Sequence, residues 1–157
     1  MEAHAIALQA LGVQRVGIAT YYNDELNQAI LDYFARFDIE GVLFGGYSLT
    51  GQTEALYATP MLALDEVSQV QVYQYCKRGF LGLNGKVDGI YINGGGWDAT
   101  PAIVALEKDL NTKVVFALTA EMWLTYKKMA ISNSQLDCGA LLRDDYDPPV
   151  QVGFRGR

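Results

Sequence analysis

The chain of 157 residues has one histidine, His4, and two cysteines, Cys76 and Cys138, that stand far apart. One imidazole and two distant thiols match no zinc or redox spacing, so neither a metal centre nor a His-dependent triad is expected. Basic clusters are missing as well. Twelve Lys and Arg are scattered among eighteen Asp and Glu, only Lys77-Arg78 and Lys127-Lys128 being adjacent, and the net charge is −6. That distribution cannot make the several phosphate contacts that drive nucleic-acid binding, so no nucleic-acid partner is expected. No apolar run approaches the roughly 18 residues of a membrane helix, and MEAHAIALQALG carries no cationic stretch ahead of its apolar residues. The expectation is a cytoplasmic protein with no membrane partner.

What is present points to one folded domain. Half of the residues are hydrophobic and 19% are charged, a balance suited to a core within a soluble shell. The length suffices for one such core and not for two. Helical and strand patterns alternate along the chain. A helix over about residues 2–11 precedes a buried strand, Arg15 to Thr20. Asn23 can cap a helix in which Leu26, Ala29, Ile30, Tyr33, Phe34 and Phe37 share a face. A second strand, Ile39 to Phe44, leads into the polar connection GGYSLTGQTEALYATP. A helical stretch over roughly 62–80 and a third strand, Val87 to Ile92, follow.

Ala102, Ile103, Ala105, Leu106 and Leu110 then form another apolar face, and Lys113 to Leu118 reads as a fourth strand. Thr119 is expected to cap a helix running to about Ile131, with Met122, Trp123, Tyr126 and Met129 inward. Such alternation predicts right-handed crossovers and a parallel sheet covered on both faces. The expected fold is a Rossmann-like, three-layer α/β domain over residues 1–131 with four parallel strands in the order 2-1-3-4. Residues 132–157 show no periodicity and are expected to be a partly mobile extension.

In an open parallel sheet of that order, a ligand site belongs at the carboxyl ends of strands one and three. The loops meeting there are Thr20-Tyr21-Tyr22-Asn23-Asp24 and Asn93-Gly94-Gly95-Gly96-Trp97. Consecutive glycines allow close backbone approach, and their N–H groups can converge on an anion at the start of the next helix. Tyrosine hydroxyls and Asn93 add neutral donors, a set suited to a carboxylate. The stretch DGIYINGGGWDATP is no phosphate loop, lacking the Lys-Ser/Thr ending, and its glycines lack dinucleotide-binding spacing. It could equally be a tight connection, and Tyr21 and Tyr22 surface aromatics. Cys76 reads as a small buried residue, and Cys138 has no base nearby in sequence. Asp24, Glu25 and Glu121 suit the starts of helices, and Asp98 a cap. Ser48, Thr50 and Thr53 sit on a connection long enough to cover a substrate, although hydroxyls there also close turns.

Taken together, ALQALGVQRVGIATYYNDELNQ, SLTGQTEALYATP, DGIYINGGGWDATPAIVALEKDL with NTKVVFAL, and TAEMW resemble the aspartate/glutamate racemase superfamily. The resemblance is to its maleate cis-trans isomerase and arylmalonate decarboxylase branch, over about residues 5–145. It implies a two-lobed, cofactor-independent enzyme with its site in the cleft between similar halves, of which this chain looks like the second. Such enzymes stabilise a carbanion or enediolate beside a carboxylate, or add a thiolate across a double bond. The resemblance places Tyr22 on the family's carboxylate-binding tyrosine and Gly95 on a backbone donor of the same pocket. Thr20, Asn93, Gly94 and Gly96 complete the expected binding set.

Two departures follow. Gly94 stands where the family has its strand-three cysteine, and a glycine can neither attack nor transfer a proton. The matching stretches also correspond to the second lobe alone, so the first is expected to be missing from this chain. The expected ligand is a small carboxylate or dicarboxylate, and an active protein would be an isomerase or decarboxylase. The alternative is a non-catalytic carboxylate-binding or protein-interaction domain. An uncovered lobe should retain an apolar patch, hence the expectation of a homodimer or a partner lobe.

Overall fold

The computed structural model describes residues 1–46, 67–132, 137–144 and 146–149. Along the chain run α1 (Glu2–Ala10), β1 (Arg15–Thr20), α2 (Asp24–Ala35), β2 (Glu40–Gly46), α3 (Gln69–Gly82) and β3 (Gly89–Ile92). Then come α4 (Thr100–Leu110), β4 (Lys113–Phe116), α5 (Ala117–Lys128) and the short α6 (Ala140–Arg143). All strand pairings are parallel, in the order β2-β1-β3-β4 expected from the sequence. After Arg15, every residue of β1 is buried, and so is every residue of β3. Strands covered on both faces carry continuous apolar runs, which is why RVGIAT and GIYI lack alternation.

Tyr91 reaches α1 through His4 and α2 through an edge-on ring contact with Phe34, while α3 packs on α4. Helices thus cover both faces of the sheet. The largest fully buried side chains include Trp97, Trp123, Tyr21, Tyr91, Phe34 and Phe116. Three of these six belong to the strand ends and turns that build the site.

Local chemistry sets the boundaries. Asn23 caps α2 as expected, its side chain accepting from Leu26 N at 3.0 Å. Ser68 and Gln71 form a reciprocal capping box at the start of α3, and the expected helix over 62–66 lies outside the described residues. Strand β3 starts at Gly89, two residues later than expected. The Asp88 carboxylate just before it accepts from Gln14 N and Arg15 N, at 3.2 and 3.0 Å, which ties the strand's entrance to β1.

The last helix differs from expectation. β4 passes into α5 with no intervening loop, so Ala117 and Leu118 are helical and the apolar run VVFAL spans two elements. Thr119 therefore is not a cap; its hydroxyl donates to Phe116 O at 2.9 Å from inside the first turn. The buried face is marked by Ala117, Ala120 and Trp123. Met122 and Met129 lie off it, 40% and 63% exposed, because alanines rather than methionines allow the close helix approach. Glu121 consequently sits in the second turn rather than at the helix start.

Beyond residue 132, Ala140, Leu141 and Leu142 of α6 are buried. The Glu107 carboxylate holds the entrance of that helix by accepting from Ala140 N at 2.9 and 3.1 Å. Four residues are too few to show a helical period. None of the described helices is long and apolar enough to cross a membrane.

Candidate functional site

Register places the ends of β1 and β3 side by side, with Ala19 opposite Ile92 and Asn93 N donating to Ala19 O at 2.8 Å. The turn after β1 is held from both sides. Tyr22 N donates to the Thr20 hydroxyl at 3.0 Å, and Asn27 Nδ2 of α2 donates to Tyr22 O at 3.0 Å. Tyr21 is buried, while Tyr22 is half-buried and meets the Tyr21 ring edge-on at 4.7 Å. Tyr21 in turn stands perpendicular to Trp97 at 5.0 Å. Gly96 N donates to the Tyr21 hydroxyl at 3.1 Å, and Trp97 Nε1 to Asn93 O at 3.1 Å. The two expected loops are thus clamped together by an aromatic ladder.

Two of the three glycines differ in what they require. Gly94 has φ +90°, a region that side-chain-bearing residues rarely enter, and a Cβ there would overlap the Tyr21 ring, 2.5 Å from its Cζ. Gly95 has ordinary room: its nearest neighbour would be Leu118 Cδ2 at 3.5 Å. Of these two, Gly94 alone is demanded by the backbone and by packing.

Beside this turn lies an open cavity of about 500 Å³. Tyr22, Asn93, Gly94 and Gly95 form one side, Leu26, Ile30 and Tyr33 of α2 another. The apolar face expected on α2 is therefore divided: Ile30 and Phe34 are buried, whereas Leu26 and Tyr33 wall the cavity. Ala117 and Leu118 bring the first turn of α5 to the same space. The expected helix after the glycines, α4, begins only at Thr100 and does not line the cavity; Asp98 Oδ1 bonds Thr100 N at 3.3 Å.

Of the six residues in the expected binding set, four line this cavity. Thr20 is fully buried beneath the turn, its carbonyl accepting from the Tyr75 hydroxyl at 3.2 Å. Gly96 instead borders a second pocket of about 380 Å³ beside Trp97. Ser48, Thr50 and Thr53 lie outside the described residues. Cys76 is fully buried in α3, where burial pushes its thiol up to about 12. Cys138 precedes α6, its thiol raised by burial and by Asp137. Neither cysteine lines the cavity. Among the described residues, no group of three His, Cys, Asp or Glu side chains could hold a metal ion.

Sequence reasoning missed His4. The ring is 4% exposed and borders the cavity, with Nδ1 2.7 Å from the Tyr91 hydroxyl and Nε2 3.1 Å from Glu121 Oε1. The Tyr91 hydroxyl lies 2.7 Å from Asn93 Oδ1 in turn. A separation of 117 residues hides the His4–Glu121 pair from any local pattern. Half of the group did have a signal. Tyr91 lies in the fully buried β3 and Asn93 follows the strand two residues on, so their polar atoms fall on one face and need partners there. Burial lowers the His4 pKa, the Met1 α-amine acting in the same direction and Glu121 opposing both. Burial also holds the Tyr91 phenol well above its usual range, reinforced by Tyr22 and Glu121.

An all-parallel sheet of this order, with a cavity beside the ends of β1 and β3, defines an open α/β fold whose strand order reverses at that point. The sequence profile described as arylmalonate decarboxylase matches residues 1–142, and the chain belongs to that family. Among solved structures, unliganded arylmalonate decarboxylase is 27% identical with a TM-score of 0.75, over 92% of this chain and 59% of that one. A cysteine-to-alanine variant of the maleate isomerase Iso from Pseudomonas putida, with maleate, is 23% identical. It matches with a TM-score of 0.72 over 92% of this chain and 54% of that one. A variant of the Nocardia farcinica maleate cis-trans isomerase with a covalently bound succinylcysteine intermediate is 20% identical. Its TM-score is 0.72, over 91% of this chain and 54% of that one. These last two likenesses are of fold. The chain thus spans little more than half the length of these structures. No curated protein matches the sequence significantly.

Proposed function

We propose that this chain recognises a small carboxylate or dicarboxylate, without a cofactor, as one lobe of an arylmalonate decarboxylase-type protein. The observation that carries the reading is the convergence of Tyr22 and the Asn93–Gly95 turn on one cavity beside the first turn of α5. Hydroxyl, amide and backbone donors on apolar walls suit a carboxylate carrying an apolar substituent. Gly94 stands at the family's cysteine position, where Tyr21 takes up the space a side chain would need. With no thiol there, recognition rather than turnover is the role of the isolated chain, since loss of an acid/base group alone forfeits about 10²–10⁴-fold. Met1, Leu26 and Leu118 leave apolar surface at the cavity, being 36%, 38% and 44% exposed. We assign its cover to a second copy or a partner lobe; a clean monomer by light scattering at micromolar concentration would exclude self-association.

The direct test is a thermal-shift titration with malonate, an arylmalonate and maleate, with phosphate and nucleotides as controls. A ligand at about 100 times its Kd stabilises the folded state by about 2.7 kcal/mol. The expected result is stabilisation by a carboxylate that Tyr22→Phe largely removes. Unfolding temperatures indifferent to every carboxylate would reduce the glycine turn to a structural connection.

A further inference from the structure

The cavity wall holds a chain of polar groups that the carboxylate reading does not use: Glu121 of α5, His4 of α1, Tyr91 of β3 and Asn93 at the end of β3. Three gaps join them, of 3.1, 2.7 and 2.7 Å, and each is short enough for a hydrogen bond. As placed, the chain runs between two acceptors, the Glu121 carboxylate and Asn93 Oδ1. Filling three gaps between two acceptors takes three protons from the groups in the middle. Tyr91 brings one, so His4 must bring two and be an imidazolium. A neutral His4 brings only one. In that state Nε2–H is held by Glu121, Nδ1 accepts from the Tyr91 hydroxyl, and the third proton must come from Asn93. Its carboxamide then turns its NH₂ to Tyr91 and its carbonyl toward the cavity.

We propose that Glu121, His4, Tyr91 and Asn93 form a relay whose polarity is set by His4, so that a carboxylate entering the cavity takes up one proton and meets the Asn93 NH₂. The proposal rests on the carboxylate reading given above. The step balances: one proton from bulk water adds to Nδ1, the Tyr91 O–H swings from Nδ1 to Asn93 Oδ1, and the carboxamide rotates by half a turn. No covalent bond to carbon is made or broken. His4 is a positioning residue here, acting on the ligand through Tyr91 and Asn93.

Electrostatics act in the same direction. Among the described residues, Glu121 is the one carboxylate lining the cavity, with its side chain 57% exposed, so an entering anion meets a like charge unless an imidazolium stands beside it. The groups facing His4 are few. From α5 comes Glu121 and from β3 Tyr91, while Tyr22 and Tyr33 share the cavity. Its own helix adds the Met1 α-amine and Glu2, the latter acting on Tyr33. Lys113 of β4 is turned to the Tyr146 hydroxyl, and Lys127 of α5 to Asp147. Burial disfavours the imidazolium in the unliganded protein, so the arrangement with Oδ1 toward Tyr91 is the one that a gained proton would stabilise.

The experiment is calorimetric titration with malonate at pH 5.5 to 8 in buffers of different ionisation enthalpy, alongside ¹⁵N NMR of the His4 ring and the Asn93 side-chain amide. The expected affinity falls by up to about tenfold per pH unit across the neutral range, with uptake approaching one proton per ligand. In the ligand-free protein, acidification should move the His4 and Asn93 signals with one midpoint. His4→Gln should bind with a pH-independent affinity. Should that variant fail to fold, the more exposed Glu121→Gln should keep the fold and reduce the uptake. Malonate binding with a flat affinity and no proton uptake would overturn the relay while leaving the carboxylate site standing. An Asn93 amide that ignores His4 titration would overturn it without reference to any ligand. Absence of binding at every pH would remove the carboxylate reading and the linkage together.

Discussion

Placing a methyl group at Gly94 tests the geometry of the site most directly. In Gly94→Ala, the new Cβ carries a cost from the backbone and another from packing. The φ of +90° lies where a side-chain-bearing residue is strained by about 1–3 kcal/mol. The Cβ also overlaps the ring of Tyr21, which is 1% exposed and wedged between Tyr22 and Trp97. Ring displacement of that kind costs about 1–3 kcal/mol. The total, about 2–6 kcal/mol, is a large part of the roughly 5–15 kcal/mol that holds a domain folded. Gly95→Ala is the matched control. Its Cβ meets nothing closer than Leu118 Cδ2 at 3.5 Å, so its expected change is within about 1 kcal/mol of zero, of either sign. Urea unfolding of the three proteins measures the difference as a shift in midpoint at constant slope. Equal midpoints for Gly94→Ala and Gly95→Ala would refute the reasoning. The same argument predicts that Gly94→Cys will be destabilised at least as much as Gly94→Ala, because its Cβ cannot be seated without moving Tyr21.

Three further outcomes are expected. Glu107→Ala removes the acceptor of Ala140 N and of Val114 N, and should cost about 1–3 kcal/mol in urea unfolding while exposing the 137–144 segment to proteolysis. Cys76 should resist iodoacetamide at pH 8 in the native protein, because its thiol is buried and held at about 12; rapid native labelling there would contradict the packing of α3. The ligand-free protein should lose stability as pH falls below about 6.5, the ordinary His value, since the unfolded chain takes up a proton that buried His4 refuses. With the folded pKa lowered, this contribution is complete above the unfolded value and lost on acidification. His4→Gln should flatten that part of the curve relative to the wild type, and an unchanged curve would mean that His4 does not carry it.

Much of the architecture was legible in the chain itself. Buried parallel strands need unbroken apolar runs, and RVGIAT, GIYI and KVVF supply them, with GVLF on the half-buried edge strand β2, separated by helical periods that force crossovers and a parallel sheet. Strand order then brings the tyrosine turn and the glycine turn together, and Thr20, Tyr22, Asn93, Gly94, Gly95 and Gly96 were all readable as loop residues there. Of these, Tyr22, Asn93, Gly94 and Gly95 line the cavity, while Thr20 lies beneath the turn and Gly96 beside Trp97. The Asn23 cap was equally readable, because a cap is an interaction over three residues. Reading failed where two elements abut without a turn. Nothing in VVFAL marks the change from β4 to α5. Of the expected inward residues Met122, Trp123, Tyr126 and Met129, Trp123 is fully buried and Met122 and Met129 are exposed, while Ala117 and Ala120 share the buried face.

The sequence by itself thus determined the sheet, its order and the end of it where a ligand would sit, because those follow from periodicity and chirality within short stretches. Only the tertiary structure decided how the candidate site is built. That Gly94 must be glycine depends on the Tyr21 ring, 73 positions earlier, occupying the space of its missing side chain. That His4 belongs to the cavity depends on α1 packing against α5, which brings Glu121 within 3.1 Å across 117 residues. Contacts at such separations carry no local signature: they arise from which faces are buried together, and a buried polar group acquires its chemistry from neighbours the chain does not place beside it.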